Sequence, residues 1–264
     1  MSDIIHKAHD SIAGCHRVIL NRSVKRNSLS RGVIEALTGV FLELASNRDV
    51  KVIVLEGDGP AFCSGHDLKE LTAHRQDDDA GAGFFAETMQ ACAEMMKLIV
   101  RCPKPVIARV QGIATAAGCQ LVASCDLAVA GASASFATPG VNLGLFCSTP
   151  MVALARNLGR KHAMEMLLLG DAIPAVRAAE MGLVNAVVED GKLDAAIDAY
   201  ATQLAGKPAY TMAVGKEGFY RQLEMGLDDA YAYVSKIMVE NMLAEDAKEG
   251  IGAFIEKRAP VWPE

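Results

Sequence analysis

The first 190 residues alternate short apolar runs with stretches of helical periodicity. Runs rich in β-branched residues predict buried strands at 18–20, 52–55, 106–110 and 127–130. Between the first two strands, residues 30–44 carry an apolar helical face, with Ser28 or Ser30 as the candidate cap. Residues 84–99 predict a second helix, with its buried face at Met89, Ala93, Met96 and Val100. Strands separated by helices indicate crossover units and a largely parallel sheet.

The pattern changes at about residue 193 and is helical from there to the end. Breaks at 206–208 and at Gly226 divide this part into predicted helices at 195–205, 209–221 and 227–243. We therefore expect a core of residues 1–192 and a helical region of residues 193–264, whose large side chains suit an interface. The polar segment 72–83 predicts an exposed, mobile loop beside the site that the core makes.

Composition and charge narrow the class of protein. Hydrophobic residues make up 51% and charged residues 22%, which excludes a disordered or collagen-like chain. The net charge of −6 and the lack of a basic run disfavour a nucleic-acid surface. Because no run of eighteen apolar residues and no signal-peptide pattern is present, we expect a soluble cytoplasmic protein without a membrane partner. The seven cysteines form no CxxC pair, which predicts buried free thiols and no metal site.

Two glycine-bearing turns each follow a predicted strand, at residues 57–70 and 111–120. Gly and Ala there allow a ligand or another backbone to approach closely, and the helices that follow begin with unsatisfied N–H groups. Two such turns side by side are suited to bind one oxyanion, although each alone is equally typical of a tight strand–helix connection. Neither turn matches a Walker loop, a GxGxxG loop or a GxSxG elbow.

The segments around these turns, PAFCSGHDLKEL and VQGIATAAGCQLVASCDLAVA, resemble the signature of the crotonase (enoyl-CoA hydratase/isomerase) superfamily. Further similar segments follow in order along the chain: LNR at 20–22, SFATP at 135–139, GL at 144–145, AAEMGLV at 178–184 and FIEKR at 254–258. Within the superfamily, the chain is most similar to the enoyl-CoA hydratase domain-containing 3 type, through HDLKEL, ATAAGCQLVASCD and FATPGVNLGLFCSTP.

The resemblance implies an α/β fold, the ClpP/crotonase-like β/α spiral of repeated ββα units, with a C-terminal helical trimerisation region. It implies binding of an acyl-CoA thioester by a homotrimer or a dimer of trimers, with no cofactor beyond the coenzyme A of the substrate. The family's two oxyanion donors match the backbone N–H groups of His66 and Ala117. Substrate and CoA contacts are implied at Lys25, Arg26, Ala61, Ser64, Gly65, Asp67, Leu68, Lys69, Gly112, Ala116, Pro139, Leu143 and Lys257.

The two glutamates that hold and activate water in hydratases are absent. The matching positions are Gln120, which orients a water but cannot accept its proton, and Gly140, which has no side chain. Two hypotheses follow: an enoyl-CoA hydratase/isomerase family enzyme of acyl-CoA or fatty-acid metabolism with a relocated base, or a non-catalytic acyl-CoA-binding or regulatory protein. A third, an RNA-binding member of the family, is disfavoured by the charge.

Several side chains near the turns carry two interpretations each. His66 either titrates beside the oxyanion turn or packs away from it, and Asp67 either acts as a base or caps the helix that it precedes. Glu87 either swings over the pocket or lies on a solvated helix face. Cys119, Cys147 and Asn142 are expected to line the acyl pocket, with the two cysteines as buried thiols rather than nucleophiles.

Overall fold

The larger sheet organises the fold. The structure, a computed structural model, describes residues 2–262. Six strands form this sheet in the order β1-β2-β3-β5-β7-β10. They are Ile4–Ala8 (β1), Cys15–Leu20 (β2), Val52–Gly57 (β3), Val106–Val110 (β5), Leu127–Gly131 (β7) and Ala186–Val188 (β10). All neighbouring pairs are parallel except β1 with β2.

A second, smaller sheet contains the strands that alternate with these along the chain. In the order β4-β6-β8-β9, its strands are Ala61–Cys63 (β4), Ile113–Thr115 (β6), Ser135–Ala137 (β8) and Ile173–Pro174 (β9). The chain passes from β3 to β4, from β5 to β6 and from β7 to β8, so each long strand is followed by a short one. This repeated step between two sheets confirms the expected ββα spiral.

Helices cover both faces of the larger sheet. Those of the first part are Arg31–Ser46 (α1), Leu68–Ala73 (α2), Ala82–Arg101 (α3), Ala117–Ser124 (α4), Ser148–Asn157 (α5), Arg160–Leu169 (α6) and Ala175–Met181 (α7). Those of the C-terminal part are Leu193–Ala205 (α8), Ala209–Gln222 (α9), Leu227–Leu243 (α10) and Glu245–Glu256 (α11). Ser30 is the cap of α1, as predicted, and its side chain accepts a hydrogen bond from Val33 N–H.

The main core lies on one face of the sheet, where apolar residues of β2, β3 and β5 pack against α1, α3 and α4. The opposite face is closed by α8, whose Leu193, Ile197 and Ala201 pack on Cys15, Val52, Val54, Ile107 and Val129. The predicted division into a core of residues 1–192 and a helical region of residues 193–264 stays a prediction. Helix α8 belongs to the second part by this division, yet its side chains contribute to the core. All seven cysteines are buried and free, which confirms the prediction of buried free thiols.

Two local predictions are corrected. The buried face of α3 carries Thr88, Cys92, Met95, Met96 and Ile99; of the predicted set only Met96 is buried, because the helix is rotated by about one residue. The segment 72–83 is largely exposed, as predicted, but only residues 77–81 of it lie outside helical turns. It holds the end of α2, a 3₁₀ turn and the start of α3, tied by Asp79, which accepts hydrogen bonds from the N–H groups of Gly81 and Gly83.

Within residues 2–262, no helix combines the length and apolar character needed to cross a bilayer. Over the same range, no three His, Cys, Asp or Glu side chains are grouped to hold a metal ion.

Candidate oxyanion site

The first turn connects β4 to α2, and its conformation requires a glycine at position 65. Gly65 has a φ of +86°, a conformation in which a side chain is strained. Ser64 N–H donates to Arg26 O at 3.0 Å, which fixes the turn to the loop before α1. Asp67 then caps α2 by accepting hydrogen bonds from Lys69 N–H and Glu70 N–H. The interpretation of Asp67 as a cap is therefore the one that the structure supports.

The second turn connects β6 to α4. Ala116 precedes the helix with φ +50° and ψ −117°, a backbone conformation that is strained for any residue with a side chain. Its N–H donates to Ala137 O at 2.9 Å, which ties the turn to β8. Ala117 is the first helical residue and its predecessor offers no side-chain cap. The second turn thus presents the open N-terminal end of a helix.

The two turns pack directly against each other through small residues. A Cβ on Gly65 would lie 3.0 Å from Ala116 Cβ and 3.4 Å from Ala117 N. A Cβ on Gly118 would lie 2.8 Å from Cys63 C, because α4 starts against the backbone of β4. Gly112, where φ is +60°, abuts the backbone of Pro60 in the same way. The structure therefore brings together the predicted residues of both turns, including Ala61, which pairs with Ile113.

The backbone N–H groups of His66 and Ala117 are both free. Leu29 and His66 form an isolated parallel β-bridge. Its two hydrogen bonds run from Leu29 N–H to Gly65 O at 2.8 Å and from Asp67 N–H to Leu29 O at 2.9 Å, so they use the backbone groups of the residues before and after His66. The His66 N–H consequently points away from Leu29. Among the described residues, neither this N–H nor that of Ala117 has an acceptor.

A buried asparagine that the sequence did not single out braces the first turn. Asn27 Nδ2 donates to Asp58 O at 2.9 Å and to Ala61 O at 2.8 Å, while its Oδ1 accepts from Arg22 N–H. Its φ of +54° is one that asparagine tolerates better than most residues. In the sequence, this tolerance of asparagine is the one feature that could have indicated a role for position 27, and it is a weak one.

The position matched to the second glutamate is filled by another side chain. A Cβ on Gly140 would lie 2.9 Å from Cys147 Sγ and 3.0 Å from Leu145 O. Gly140 lies with Pro139 and Leu143 in a 3₁₀ turn at 139–143, in which Leu143 is exposed. A longer residue at position 140 therefore requires the 145–147 segment to move.

Two thiols and one imidazole near the turns are uncharged at neutral pH. Burial raises the pKa of Cys119 to about 12 and raises the pKa of Cys147, so both remain thiols at neutral pH. Burial lowers the pKa of His66, which keeps its imidazole neutral. Gln120 is 4% exposed, and its Oε1 has no partner among the described residues. Glu87 lies on an exposed helix face, 3.7 Å from Arg31.

Three of the four predicted phosphate-binding cations surround the first turn. Lys25, Arg26 and Lys69 are exposed, and Lys25 Nζ lies 3.7 Å from Asp67 Oδ2. Leu68, also exposed, lies beside them at the start of α2. Lys257 is elsewhere, at the end of α11, a helix that packs on α10.

Comparison with known proteins gives matches along nearly the whole chain. The family model for enoyl-CoA hydratase/isomerase matches residues 10–264. Mouse enoyl-CoA hydratase domain-containing protein 3, mitochondrial, is 47% identical over 249 residues, covering 94% of this chain and 81% of that protein. A probable enoyl-CoA hydratase of Mycobacterium bovis is 33% identical, with 92% of each chain covered.

Solved structures give the same result. The crystal structure of human enoyl-CoA hydratase domain-containing protein 3 matches with a TM-score of 0.93 at 45% identity, over 99% of this chain and 100% of that one. An enoyl-CoA hydratase of Mycobacterium smegmatis matches with the same TM-score and identity over 99% of each chain. The expected cytoplasmic location is wrong by this comparison, because the mouse, rat and human relatives are named as mitochondrial.

Proposed function

The chain belongs to the enoyl-CoA hydratase/isomerase family, and we propose that it binds an acyl-CoA thioester and polarises the thioester carbonyl. The observation that carries this proposal is the pair of free backbone N–H groups, of His66 and Ala117, on two turns in contact. Two such donors bind a carbonyl oxygen and hold it more strongly as it gains negative charge. No cofactor is needed, because the chemistry rests on backbone donors.

The reaction that such a pair supports is loss of a proton from the carbon next to the thioester. An enolate then forms, with its charge on the oxygen between the two N–H groups. Preorganised donors are worth about 3–4 kcal/mol each to such a transition state. The dipole of α4 adds to this, since Ala117 lies at its positive end.

Hydration by a pair of glutamates is not part of this proposal. Gln120 accepts no proton, and Cys147 fills the space beside Gly140. Loss of one general acid or base typically lowers the rate by about 10²–10⁴. These two positions favour a second candidate function, a non-catalytic acyl-CoA-binding or regulatory protein with the same polarising contacts.

The CoA end of the ligand is proposed to lie against Lys25, Arg26 and Lys69, which are exposed beside the first turn. A polyphosphate suits these exposed cations, of which Lys25 has one carboxylate, Asp67, as its partner. Lys257, at the end of α11, is proposed to reach the nucleotide of a neighbouring subunit.

The subunits are proposed to form a homotrimer or a dimer of trimers. Many large apolar side chains are exposed, and two sets of them lie far apart in the sequence. The middle set is Leu143, Leu145, Phe146, Met151, Val152, Leu168 and Leu169, and the C-terminal set is Tyr231, Met238, Val239, Met242, Leu243, Phe254 and Ile255. Two different sets on one chain favour a head-to-tail contact, which gives a ring when the rotation between subunits closes.

The test of the oxyanion site removes one donor without changing a side chain. An α-hydroxy acid in place of Ala117 turns its peptide N–H into an ester oxygen, and the same replacement at Gly118 is the matched control. Infrared spectra of bound, carbonyl-labelled butyryl-CoA report the polarisation. We expect a shift of the carbonyl band to lower frequency on binding, and loss of much of that shift in the 117 ester alone.

Exchange of the α-protons of the same ligand with D₂O separates the two candidate functions. Exchange above the uncatalysed rate, reduced about 10²–10³-fold by the 117 ester, supports an enzyme. Polarised binding without exchange supports the non-catalytic protein. A carbonyl band that does not move on binding contradicts the oxyanion site itself.

A further inference from the structure

Three side chains outside the oxyanion site form a serine–histidine–aspartate chain of contacts. His9 and Ser11 belong to the connection between β1 and β2, and Asp198 belongs to α8. His9 Nε2 lies 3.1 Å from Asp198 Oδ1, and Ser11 Oγ lies 3.4 Å from His9 Nδ1. The second contact is long, as contacts of this kind often are before a substrate binds. In this order of contacts, a carboxylate orients an imidazole and the imidazole activates a serine hydroxyl.

The partners of the His9 ring determine which nitrogen carries the hydrogen. The Asp198 carboxylate only accepts hydrogen bonds, so the hydrogen lies on Nε2. The backbone N–H of Ser11 only donates, and it lies 3.3 Å from Nδ1, so Nδ1 carries the lone pair. The ring is therefore held at both nitrogens, with the basic one next to the Ser11 hydroxyl. This is the form of imidazole that a general base requires.

Exposure differs among the three side chains in the way that a nucleophile and its base require. The His9 side chain is 10% exposed and that of Asp198 is 42% exposed, whereas Ser11 is an exposed residue. Ile12, the next residue, packs on the apolar cluster that α8 covers and anchors the connection there. The imidazole is thus shielded and fixed in place, while the hydroxyl beside it is open to a ligand from solution.

The connection also supplies backbone donors next to the serine. His9 N–H donates to Cys15 O at 2.8 Å, and Cys15 N–H donates to Ile12 O at 3.1 Å, so the connection is closed by its own hydrogen bonds. The N–H groups of Ile12 and Ala13 have no acceptor among residues 2–262. They follow Ser11 directly in the chain and are available to a carbonyl oxygen that gains negative charge.

This group of residues is separate from the oxyanion site. Cys15 pairs with Val52, the first residue of β3, so the connection lies at the amino ends of the parallel strands. The two oxyanion turns instead come after the carboxyl ends of β3 and β5. In the part of the chain that the structure describes, neither His9 nor Asp198 has a lysine or arginine partner. Nothing there binds a carboxylate or a phosphate, which favours an uncharged ligand.

We propose that Ser11, His9 and Asp198 form a second catalytic site, which hydrolyses uncharged acyl esters and is independent of the proposed acyl-CoA function. Ser11 Oγ attacks the ester carbonyl carbon, and its proton moves to His9 Nδ1. The bond between that carbon and the alcohol oxygen breaks, and the alcohol leaves with the proton. Water then gives a proton to Nδ1 and attacks the acyl-serine; the bond to Oγ breaks, and the proton returns to Ser11. Asp198 stabilises the imidazolium that forms in both steps.

The test treats the full-length protein with a fluorophosphonate, which bonds through phosphorus to an activated serine oxygen and releases fluoride. We expect the adduct on the tryptic peptide 8–17, in which Ser11 is the one serine. We also expect hydrolysis of p-nitrophenyl acetate above background, which the reagent and Ser11→Ala both abolish. His9→Gln should lower the labelling rate by about 10²–10⁴-fold. Asp198→Ala should lower it at least about tenfold, because the ring loses the acceptor that holds its hydrogen on Nε2.

Ser133 is the matched control, since it is an exposed serine whose N–H donates to Asp190 and whose hydroxyl has no histidine partner in the described structure. It should stay unlabelled, and Ser133→Ala should have wild-type rates. Labelling of Ser11 should slow as the pH falls from about 8 to 5, the range in which imidazoles gain a proton, and His9→Gln should lack this dependence.

A bracing role alone for these residues gives a different result. Ser11→Ala would then lower the melting temperature, while the wild-type protein would show no adduct on peptide 8–17, and this outcome overturns the proposal. Equal labelling of Ser11 and Ser133 overturns it as well, as does a pH dependence that persists in His9→Gln. The wild-type labelling and its pH profile decide the question even where a variant fails to fold.

Discussion

At the scale of single residues, the site depends on glycines whose missing side chains make room for backbone. Gly65 combines a φ of +86° with a neighbouring backbone nitrogen 3.4 Å from its absent Cβ. Gly144 has a similar φ of +74° but nothing within 4 Å of its absent Cβ. Substitution of Gly144 therefore tests backbone strain alone, whereas substitution of Gly65 tests strain together with steric crowding.

We predict that Gly144→Ala lowers the free energy of unfolding by about 1 kcal/mol, through backbone strain alone. Gly65→Ala should lower it by about 2–4 kcal/mol, because a clash is added to the strain. Urea denaturation measures both values. Gly65→Ala should also abolish acyl-CoA binding, and equal effects of the two substitutions would contradict the contact between the turns.

Burial of histidine predicts a pH dependence of stability. The pKa values of His16 and His66 are both lowered from 6.5 in the folded chain, chiefly by burial. Below about pH 6.5 the unfolded chain binds protons that the folded chain refuses, so stability falls as the pH drops and is unaffected above that range. Urea midpoints between pH 5 and 8 measure this. His66→Gln should reduce the slope, and an unchanged slope would mean that His66 is protonated in the folded protein.

Sequence reasoning at this scale succeeds where a local rule decides the outcome. Ser30 was one of two candidate caps, and capping was one of two interpretations of Asp67, because a helix start needs an acceptor nearby. Thr88 was missed because a threonine on an apolar helix reads as a polar position at the edge of the buried face. Its burial depends on the rotation of α3, which is set by packing against α1 and α4. In the sequence, a rotation that buries Met89 and Val100 gives an apolar face of almost the same quality.

At the scale of elements, a partly buried ion pair is one of the contacts that join the C-terminal region to the core. Lys216 of α9 donates to Asp126 Oδ2 at 2.6 Å, and Tyr220 OH donates to Asp126 Oδ1 at 2.9 Å. Burial and the Asp126 charge raise the pKa of Tyr220, so it remains a donor. Asp126 also accepts from Val106 N–H, the first residue of β5.

We predict that Lys216→Met lowers the free energy of unfolding by about 2–3 kcal/mol, because it leaves a partly buried carboxylate without its cation. Lys248→Met is the control. Lys248 pairs with Glu245 on the surface, where the loss should be below about 1 kcal/mol. Denaturation of both variants tests this, and equal small losses would show that the core does not depend on the connection.

The long elements were predictable and the short ones were not. Strands β2, β3, β5 and β7 each carry enough apolar residues to be recognised in the sequence. Strands β4, β6 and β8 have three residues each and are defined only by their partners in the second sheet. Helix α11 lies in the stretch predicted to be helical, but its start was not predicted, because Ala244 rather than a glycine or proline separates it from α10.

At the scale of the whole molecule, the two exposed apolar sets predict a head-to-tail assembly. We expect Leu169→Asp, in the middle set, and Phe254→Asp, in the C-terminal set, each to prevent ring formation, since a buried charge opposes association. Sedimentation velocity measures the resulting mass.

Mixing the two variants gives a sharper outcome. Each variant retains the set that the other has lost, so a head-to-tail contact allows one intact interface and a heterodimer. A symmetric contact, in which one set meets itself, allows no such pair, and monomers alone in the mixture would contradict the head-to-tail arrangement.

Because α8 is synthesised well after the strands that it covers, one face of the larger sheet is exposed for part of translation. Val54 leaves the ribosome about 150 residues before Ala201, the residue that covers its side of the sheet. At ribosomal rates of about 5–20 residues per second, that face stays open for roughly 7–30 s. During this interval the apolar side chains on that face of the strands are exposed, so the yield of the protein in a cell should depend on chaperones until residue 205 has left the ribosome.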